Sequence, residues 1–226
     1  MVQNLTAMKV GTDGVLLGAW AKHPEPKHIL DIGTGTGLIA LMLAQRFVHA
    51  MIEAVEIDSE ASTQARENFL ASPWAERLRV HNLDFSDYAS TESTKFDLIV
   101  SNPPFFTNSL KANDAQRNLA RHDESLPLHT LIGTVASLLS KQGQLALVLP
   151  TDRLQEATEF AQKESLFASE IVHIRSVLHK PSKRCLVKFC PQATHTEFAE
   201  LVIETKGRHQ YSAEYLELLK DYFLAF

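Results

Sequence analysis

Short apolar segments alternate with amphipathic segments along most of the chain. The apolar segments are rich in β-branched and aliphatic residues and run for about four to seven residues, which predicts buried strands. They occupy residues 28–32, 51–57, 79–82, 96–100, 144–149 and 170–175. Segments with helical periodicity lie between them, at residues 38–47, 59–70, 126–140 and 152–164. This alternation predicts βαβ units and a doubly wound, mostly parallel α/β sheet that helices cover on both faces.

The alternation stops near the C-terminus. Residues 185–189 and 198–203 predict two consecutive strands, and residues 212–224 predict a terminal helix with apolar positions at helical spacing. Near the N-terminus, residues 11–14 predict a turn and residues 15–20 a short helix. We therefore expect a C-terminal strand and a helix that extend the core sheet.

Length and composition are those of one globular domain. The chain has 226 residues, of which 45% are hydrophobic and 22% charged. This is enough for one sizeable core. We expect a single domain over residues 1–226, made of an N-terminal segment (1–26), a core sheet (27–190) and a C-terminal extension (191–226).

Several classes of protein are disfavoured by the composition. No apolar run approaches the length of a membrane span, and Met1–Val10 lacks the features of a secretory signal, so the cytoplasm is the expected location. Cys185 and Cys190 fit neither a zinc spacing nor a disulfide framework and are predicted to be core residues. The ten histidines have no metal-ligand spacing, so no metal is expected. Nothing in the sequence indicates an obligate protein partner.

A glycine-rich loop joins the first predicted strand to the following helix. Gly33, Gly35 and Gly37 alternate with threonines, and Asp31 precedes them on the strand. The dinucleotide-binding fingerprint needs a glycine where this chain has Leu38, and no Walker lysine follows the loop. The observed spacing is the pattern of S-adenosylmethionine binding. The loop backbone would approach the ligand closely, and Asp31 would reach its amino group directly or through water.

Acidic residues follow the next two predicted strands. Glu56 ends the second strand and would accept hydrogen bonds from both ribose hydroxyls. Asp84, after the third strand, would accept from the adenine amino group, with the ring of Phe85 against the base. Asp58 is an alternative partner for the ribose, but its position just before a helix favours a role as N-terminal cap.

The segment Asn102-Pro103-Pro104-Phe105 follows the fourth predicted strand. Proline lacks an N–H group and keeps the preceding residue extended, so the Asn102 side-chain oxygen and the Pro103 carbonyl form a rigid pair of acceptors. Such a pair would grip both hydrogens of an exocyclic amino group and localise its lone pair for attack. Phe105 offers a flat face to a base taken out of its stack. The alternative is an ordinary Pro-Pro turn in which Phe105 is a core residue.

The interval between Glu170 and Glu197 contains no acidic residue, although the whole chain has a net charge of -5. Its cations are Arg175, Lys180, Lys183, Arg184 and Lys188. This distribution predicts a surface that faces phosphate groups. A solvated surface with an accidental sign bias is one alternative. A docking surface in the long loop after the Asn-Pro-Pro-Phe segment is another, with Lys111, Arg117 and Arg121.

The glycine loop, Glu56, Asp84 and the Asn-Pro-Pro-Phe segment, in this order, resemble those of class I S-adenosylmethionine-dependent methyltransferases that modify amino groups. Other segments resemble the bacterial enzymes that methylate N6 of adenine 37 in a valine tRNA. These segments are Lys9–Trp20, Ala120–Asp123, Ser125–Leu128 and Lys220–Leu224. The resemblance covers nearly the whole chain.

The resemblance implies a Rossmann-like, seven-stranded sheet of order 3-2-1-4-5-7-6 with an antiparallel last pair, and an N-terminal segment that covers the cofactor. It also implies methyl transfer from S-adenosylmethionine to the anticodon stem-loop of a valine tRNA. The acceptor site would consist of Asn102, Pro103, Pro104 and Phe105. The cofactor would bind to Asp31, Gly33, Gly35, Gly37, Glu56, Asp84, Phe85 and Asn102. The RNA would bind to Lys180, Lys183, Arg184 and Arg121.

Four other functions share parts of this pattern. Methylation of a glutamine amide in a translation factor, or of a guanine amino group in ribosomal RNA, would use the same acceptor motif. Phe105 favours a base, because a tyrosine at this position is typical of the glutamine-modifying enzymes. A DNA adenine methyltransferase would normally carry a further base-reading domain, for which 226 residues leave little room. A catalytically silent binding module would have a broken acceptor motif, whereas this one is intact.

Overall fold

Strands and helices alternate along the chain, as the apolar pattern predicts. The structure is a computed structural model that describes residues 11–104, 126–205 and 207–223. The strands are β1 (His28–Ile32), β2 (Met51–Val55), β3 (Leu78–His81), β4 (Phe96–Ser101), β5 (Leu139–Pro150), β6 (Phe167–Val177), β7 (Arg184–Cys190) and β8 (Glu197–Glu204). The helices in these ranges are α1 (Thr12–Trp20), α2 (Leu38–Arg46), α3 (Ser59–Leu70), α4 (Phe85–Thr91), α5 (Leu128–Leu138), α6 (Leu154–Lys163) and α7 (Ala213–Leu219).

The strands form one sheet in the order β3-β2-β1-β4-β5-β7-β6-β8. The pairs from β3 to β5 are parallel, β7 is antiparallel to both neighbours, and β8 is parallel to β6. The expected order of the first seven strands is therefore confirmed, and the C-terminal extension supplies β8 at the edge. The strand order reverses between β1 and β4, which is where open α/β sheets usually bind ligands.

Two apolar clusters cover the two faces of the sheet. One cluster packs α1 and α2 against residues such as Ile29 and Val148. The other cluster packs α5 and α6 against the opposite face of the sheet. It includes Leu30 and Leu147, the sequence neighbours of Ile29 and Val148. Successive side chains of a strand point to opposite faces, so consecutive apolar residues fill both clusters. This explains why the central strands are continuous apolar runs in the sequence.

Some element boundaries differ from the sequence-based expectation. Helix α1 begins at Thr12 instead of after Gly14, because Gly11 is extended and serves as the N-cap. Asp13 then lies in the first turn, where the helix dipole favours negative charge. Strand β5 begins at Leu139, directly after α5, and its polar residues 140–142 concealed this part from the apolar pattern. The terminal helix ends at Leu219.

The cysteines are buried free thiols, as predicted. Cys185 is 0% exposed and Cys190 7% exposed, and burial raises the pKa of the Cys185 thiol to about 12. In the described ranges, no helix is long and apolar enough to cross a membrane. Nor do three His, Cys, Asp or Glu side chains in these ranges cluster as they would around a metal ion.

A largely buried ion pair links the sheet to α1. Lys188 on β7 is 8% exposed, and its Nζ lies 2.8 Å from Oε2 of Glu170 on β6. Trp20, at the end of α1, donates from Nε1 to Oε1 of the same carboxylate at 3.0 Å. The Lys188 Nζ also lies 4.9 Å from the centre of the Trp20 ring. These contacts offset the cost of burying the lysine charge.

We expect Glu170→Gln to destabilise the fold, because Lys188 keeps its charge in a buried position and loses its counter-charge. The expected loss in the free energy of unfolding is about 2 kcal/mol, between the values for exposed and for fully buried pairs. Glu217→Gln is the matched control, since Glu217 pairs with Lys220 on the surface and should cost much less. Urea unfolding measures both variants, and equal losses would contradict the role of the buried pair.

Candidate functional site

The parallel strands end at one side of the sheet, which we call the carboxyl edge. Because β7 runs antiparallel to its neighbours, the loop between β6 and β7 lies at this edge as well. The predicted cofactor and acceptor residues in the described ranges lie at or next to it. They are Asp31, Gly33, Gly35, Gly37, Glu56, Asp84, Phe85, Asn102, Pro103 and Pro104. The topology therefore brings together residues that are up to 73 positions apart in the sequence, from Asp31 to Pro104.

Asp31 is the buried anchor of the glycine loop. Its Oδ2 accepts from Thr34 Oγ1 at 2.6 Å and from the backbone N of Ala40 at 3.1 Å, so it joins the loop to α2. Its Oδ1 is buried and has no hydrogen-bond partner among the described residues. Burial raises the pKa of Asp31 to about 7; the two hydrogen bonds oppose this shift, and nearby Glu56 adds to it. A cationic ligand group would satisfy the unpaired oxygen.

Glu56 holds the same loop from the end of β2. Its Oε2 accepts from the backbone N of Gly35 at 2.8 Å, and its Oε1 accepts from that of Asp58 at 2.9 Å. Burial raises the pKa of Glu56, although these hydrogen bonds oppose the shift. Asp58 caps α3, since its Oδ1 accepts from the backbone N of Ala61 at 2.7 Å. The capping role of Asp58 is thus confirmed, and Glu56 is the carboxylate that faces the loop.

The three loop glycines differ in what surrounds them. Their φ angles are 69° at Gly33, 57° at Gly35 and 84° at Gly37, in the region that favours glycine. A Cβ on Gly33 or Gly35 would meet no atom of the described residues within 4 Å, so among these residues both border open space. A Cβ on Gly37 would lie 2.5 Å from the ring of Phe69. The sequence groups Gly37 with the cofactor residues, but close packing against α3 already requires a glycine there.

Asp84 and Phe85 mark the start of α4, a helix that the sequence pattern did not reveal. Asp84 is its N-cap, and Oδ1 accepts from the backbone N of Ser86 at 2.7 Å. The Phe85 ring is only 4% exposed and packs in the core with Leu30 and Tyr88. This corrects the expectation that the ring lies against an adenine, because an enclosed ring has no free face for a ligand.

Two exposed aliphatic side chains lie beside Glu56 and Asp84. Ile57 is 54% exposed and Leu83 is 45% exposed. Asn82 joins their loops, because its Nδ2 donates to the carbonyl oxygens of Glu56 at 2.9 Å and Ile57 at 3.1 Å. Apolar side chains at neighbouring strand ends are suited to line a site for a flat ring. Sequence reasoning missed them, because the apolar pattern absorbed Ile57 into a strand.

Asn102 follows β4, beside the glycine loop. Ser101 Oγ donates to the carbonyl oxygen of Ile32 at 2.8 Å and so joins the ends of β4 and β1. Asn102 and Pro103 are half-buried, and Pro104 is exposed. Phe105 lies outside the described residues. The first two residues of the acceptor motif therefore stand next to the open side of the loop.

Three of the five cations in the acid-free interval are paired with carboxylates. Arg175 Nη2 lies 2.7 Å from Oε1 of Glu200, and Arg184 Nε lies 2.8 Å from Oδ2 of Asp13. Lys188 belongs to the buried pair described above. The carboxylates that pair with these cations lie outside the interval. The interval therefore lacks acidic residues in the sequence, but in the folded protein acidic side chains lie beside it. Arg184 is thus paired with Asp13, and its role as an RNA contact stays a prediction.

Lys180 and Lys183 remain available on the loop between β6 and β7. Both are exposed, and neither forms an ion pair within the described ranges. The turn after β8 adjoins this loop, because Val177 and Glu204, the last residues of β6 and β8, are register partners. That turn exposes Arg208, which sequence reasoning did not select. Arg121, like Lys111 and Arg117, lies outside the described residues.

Comparison with known sequences agrees with this site. A family model described as methyltransferase small domain matches residues 9–165. A protein from Parabacteroides distasonis named tRNA1(Val) (adenine(37)-N6)-methyltransferase is 46% identical over 96% of this chain and 92% of its own. Proteins of the same name from Porphyromonas gingivalis and Bacteroides thetaiotaomicron are 47% and 48% identical, each over 96% of this chain and over 89% and 91% of their own.

Solved structures share the fold at much lower identity. One, described as a predicted O-methyltransferase from Agrobacterium tumefaciens, has a TM-score of 0.70 and 20% identity over 92% of this chain and 96% of its own. A type I restriction-modification methyltransferase subunit from Streptococcus thermophilus has a TM-score of 0.64 and 17% identity over 92% of this chain and 51% of its own. The family predicted from the motifs is therefore confirmed: the chain belongs to the methyltransferase small domain family, in the group of tRNA1(Val) (adenine(37)-N6)-methyltransferases.

Proposed function

We propose that the protein transfers a methyl group from S-adenosylmethionine to N6 of an adenine in tRNA, at position 37 in the anticodon stem-loop of a valine tRNA. The observation that carries this proposal is the proximity of two half-sites, the glycine loop after β1 and the Asn-Pro-Pro segment after the adjacent β4. The names of relatives at 46–48% identity support the choice of RNA. The cytoplasm remains the predicted location.

The residues at the loop fit S-adenosylmethionine. The cofactor, when bound, supplies a methyl group that is already activated on a sulfonium centre. Asp31 Oδ1, buried without a partner in the described part of the chain, would accept from the amino group of the cofactor directly or through water. Glu56 would accept from the ribose hydroxyls. Ile57 and Leu83 would line the adenine site, with Asp84 as acceptor for the adenine amino group.

Asn102 and Pro103 would hold the target amino group. Their two oxygens would accept its two hydrogens and oppose delocalisation of the nitrogen lone pair into the base. The nitrogen becomes tetrahedral and positively charged as it is methylated, so the two acceptors interact most strongly in the transition state. The amino group itself attacks, and the protein contributes by positioning it and excluding water. Phe105 would stack on the base.

Lys180 and Lys183 would contact the RNA backbone. Both are exposed at the carboxyl edge, on the same side of the sheet as Asn102. Arg208, on the adjoining turn, would extend this surface, and Arg121 remains a predicted contact. Phosphate contacts of this kind orient the RNA and make its binding depend on salt.

The test of the proposed function is methylation of total tRNA from a strain that lacks the activity, with labelled S-adenosylmethionine. Digestion and mass spectrometry should find the label in N6-methyladenine at position 37 of valine tRNA. Ribosomal RNA and a translation factor are offered in parallel, and label in a guanine or a glutamine would favour those substrates instead. Cofactor binding without any transfer would indicate a binding module.

We expect the cofactor-free protein to lose stability as the pH rises from about 4 to about 7. The folded protein keeps a proton on Asp31 up to a pKa of about 7, whereas the unfolded chain releases it near pH 3.9. The stability that this proton confers is therefore lost through that range, by up to about 4 kcal/mol. Urea unfolding at several pH values measures the slope.

The comparison variant for this slope is Asp31→Asn, which cannot ionise. Glu56 also has a raised pKa and contributes with the same sign, but it is present in both proteins. The variant should therefore have a smaller slope than the parent. The same slope in both proteins would rule out Asp31 as the group that titrates.

We expect Asn102→Ala to lower kcat by roughly a hundredfold or more, as does removal of one preorganised transition-state partner in other enzymes. Cofactor affinity should change little, since in the proposed mechanism the amide of Asn102 contacts the target amino group. Asn102→Asp retains an acceptor oxygen and should keep more activity than the alanine variant. Single-turnover methylation of tRNA measures the chemical step. A parental rate in Asn102→Ala would favour the alternative that this segment is an ordinary Pro-Pro turn.

We expect the double variant Lys180→Glu and Lys183→Glu to weaken tRNA binding. The plot of log K against the logarithm of the salt concentration should also become less steep, by the amount expected for about two lost phosphate contacts. Cofactor affinity should be unchanged. The matched control reverses Lys27 and Lys141, two exposed lysines at the opposite edge of the sheet. Equal effects in both double variants would indicate general electrostatics, and no effect in either would favour the loop with Arg121.

A further inference from the structure

The first turn of α1 depends on contacts outside its own helix. Its N-cap, Gly11, offers no side-chain hydrogen bond, and the backbone bond from Val15 N to Gly11 O is long, at 3.3 Å. The middle of the helix is held more closely, because a Cβ on Gly18 would lie only 2.7 Å from Met42 Sδ on α2. The N–H groups at a helix start lack intrahelical partners, so a first turn without a side-chain cap from its N-cap residue depends more on its tertiary contacts.

Asp13 lies in this first turn and pairs with the start of β7. Its Oδ2 accepts from Nε of Arg184 at 2.8 Å, across 171 positions of sequence. The two side chains are 34% and 39% exposed, so the ion pair is partly shielded from water. Arg184 is fixed in turn, because its Nη1 donates to the carbonyl oxygen of Lys183, which also accepts from the backbone N of Thr151. The first turn is therefore tied to a well-held part of the sheet.

Asn102 lies on the other side of this turn. A Cβ added to Gly14 would come to ordinary contact distance, 3.8 Å, from Asn102 Nδ2, so the nitrogen of the amide is a near neighbour of this turn. The nitrogen and oxygen of an amide point in different directions from the same carbon. With the nitrogen placed beside α1, the oxygen on the other branch of the amide would be left to face the target amino group. A shift of the first turn would remove this neighbour from the amide.

We propose that Asp13 and Arg184 are a positioning pair for the acceptor site. Their ion pair holds the first turn of α1 against Asn102 and so keeps the Asn102 oxygen directed at the target amino group. Arg184 thus acts on catalysis through α1 and not through RNA. The activity arm of the test rests on the proposed function, whereas the hydrogen-exchange arm does not.

The activity arm compares Asp13→Asn, Arg184→Gln, the double variant and the charge exchange Asp13→Arg with Arg184→Asp. Each single variant should lower kcat by about tenfold and leave the Kd values for cofactor and tRNA unchanged. The double variant should be no slower than either single variant, because both act through one pair. The charge exchange should recover at least a third of the parental rate. Glu217→Gln breaks an exposed pair elsewhere and should retain full activity.

The hydrogen-exchange arm follows the backbone amides of residues 13–16 in the cofactor-free protein. Exchange should be several times faster in both single variants and return toward the parental rate in the charge exchange. Exchange in α2 should be unchanged in every variant. If the parent methylates no tRNA, the proposed function fails, but this arm still tests the positioning pair.

Three results would overturn the proposal. The first is weaker tRNA binding with a lower salt slope in Arg184→Gln while Asp13→Asn behaves as the parent, since Arg184 would then be an RNA contact. The second is additive losses in the double variant, and the third is unchanged exchange in both single variants. If Arg184→Gln does not fold, Arg184→Met, which keeps the aliphatic stem but cannot pair with Asp13, replaces it and is judged by the same three results.

Discussion

Burial of the Asp31 carboxylate is the constraint on which the site depends. One of its oxygens joins the glycine loop to α2 through Thr34 and Ala40, and this contact sets the path of the loop. The other oxygen has no partner in the described ranges and lies in a protein interior that raises the pKa to about 7. The loop is thus preorganised at the expense of stability, and a bound cationic group, as in the proposed function, would offset this cost.

The second constraint is the meeting of β1 and β4. Methyl transfer requires the donor and the acceptor nitrogen in line, within a site that excludes water. Ser101 ties the end of β4 to the end of β1 by one hydrogen bond, so the acceptor motif and the glycine loop start from strand ends that are joined to each other. Helix α1 lies near both segments at Gly14, because a Cβ added there would lie 3.8 Å from Asn102 Nδ2 and from Leu38 Cδ2. In the proposed reaction, the sheet would therefore position the donor and acceptor groups, and the side chains would supply the final contacts.

The sequence predicted what depends on local pattern. The strands followed from apolar runs, and the cap at Asp58 followed from its place before a helix. The two half-sites were marked by their motifs, and the strand order was implied by the resemblance. It did not predict what depends on contacts between distant segments. The pairing of Arg184 with Asp13 and the burial of Phe85 arise from the folded arrangement. Likewise, the exposure of Leu83 could not be inferred from an apolar residue beside a strand end.

The number of protons released on cofactor binding tests most directly whether the amino group of the cofactor binds to the Asp31 carboxylate. Titration calorimetry of S-adenosylmethionine at pH 6.5, in buffers of different ionisation enthalpy, counts the protons released. With a pKa of about 7, roughly three quarters of the Asp31 carboxyls carry a proton at this pH, and a bound ammonium group should ionise them. We predict that the parent releases roughly 0.7 proton more than Asp31→Asn. Equal proton release in the two proteins would contradict the assignment of Asp31 to the cofactor.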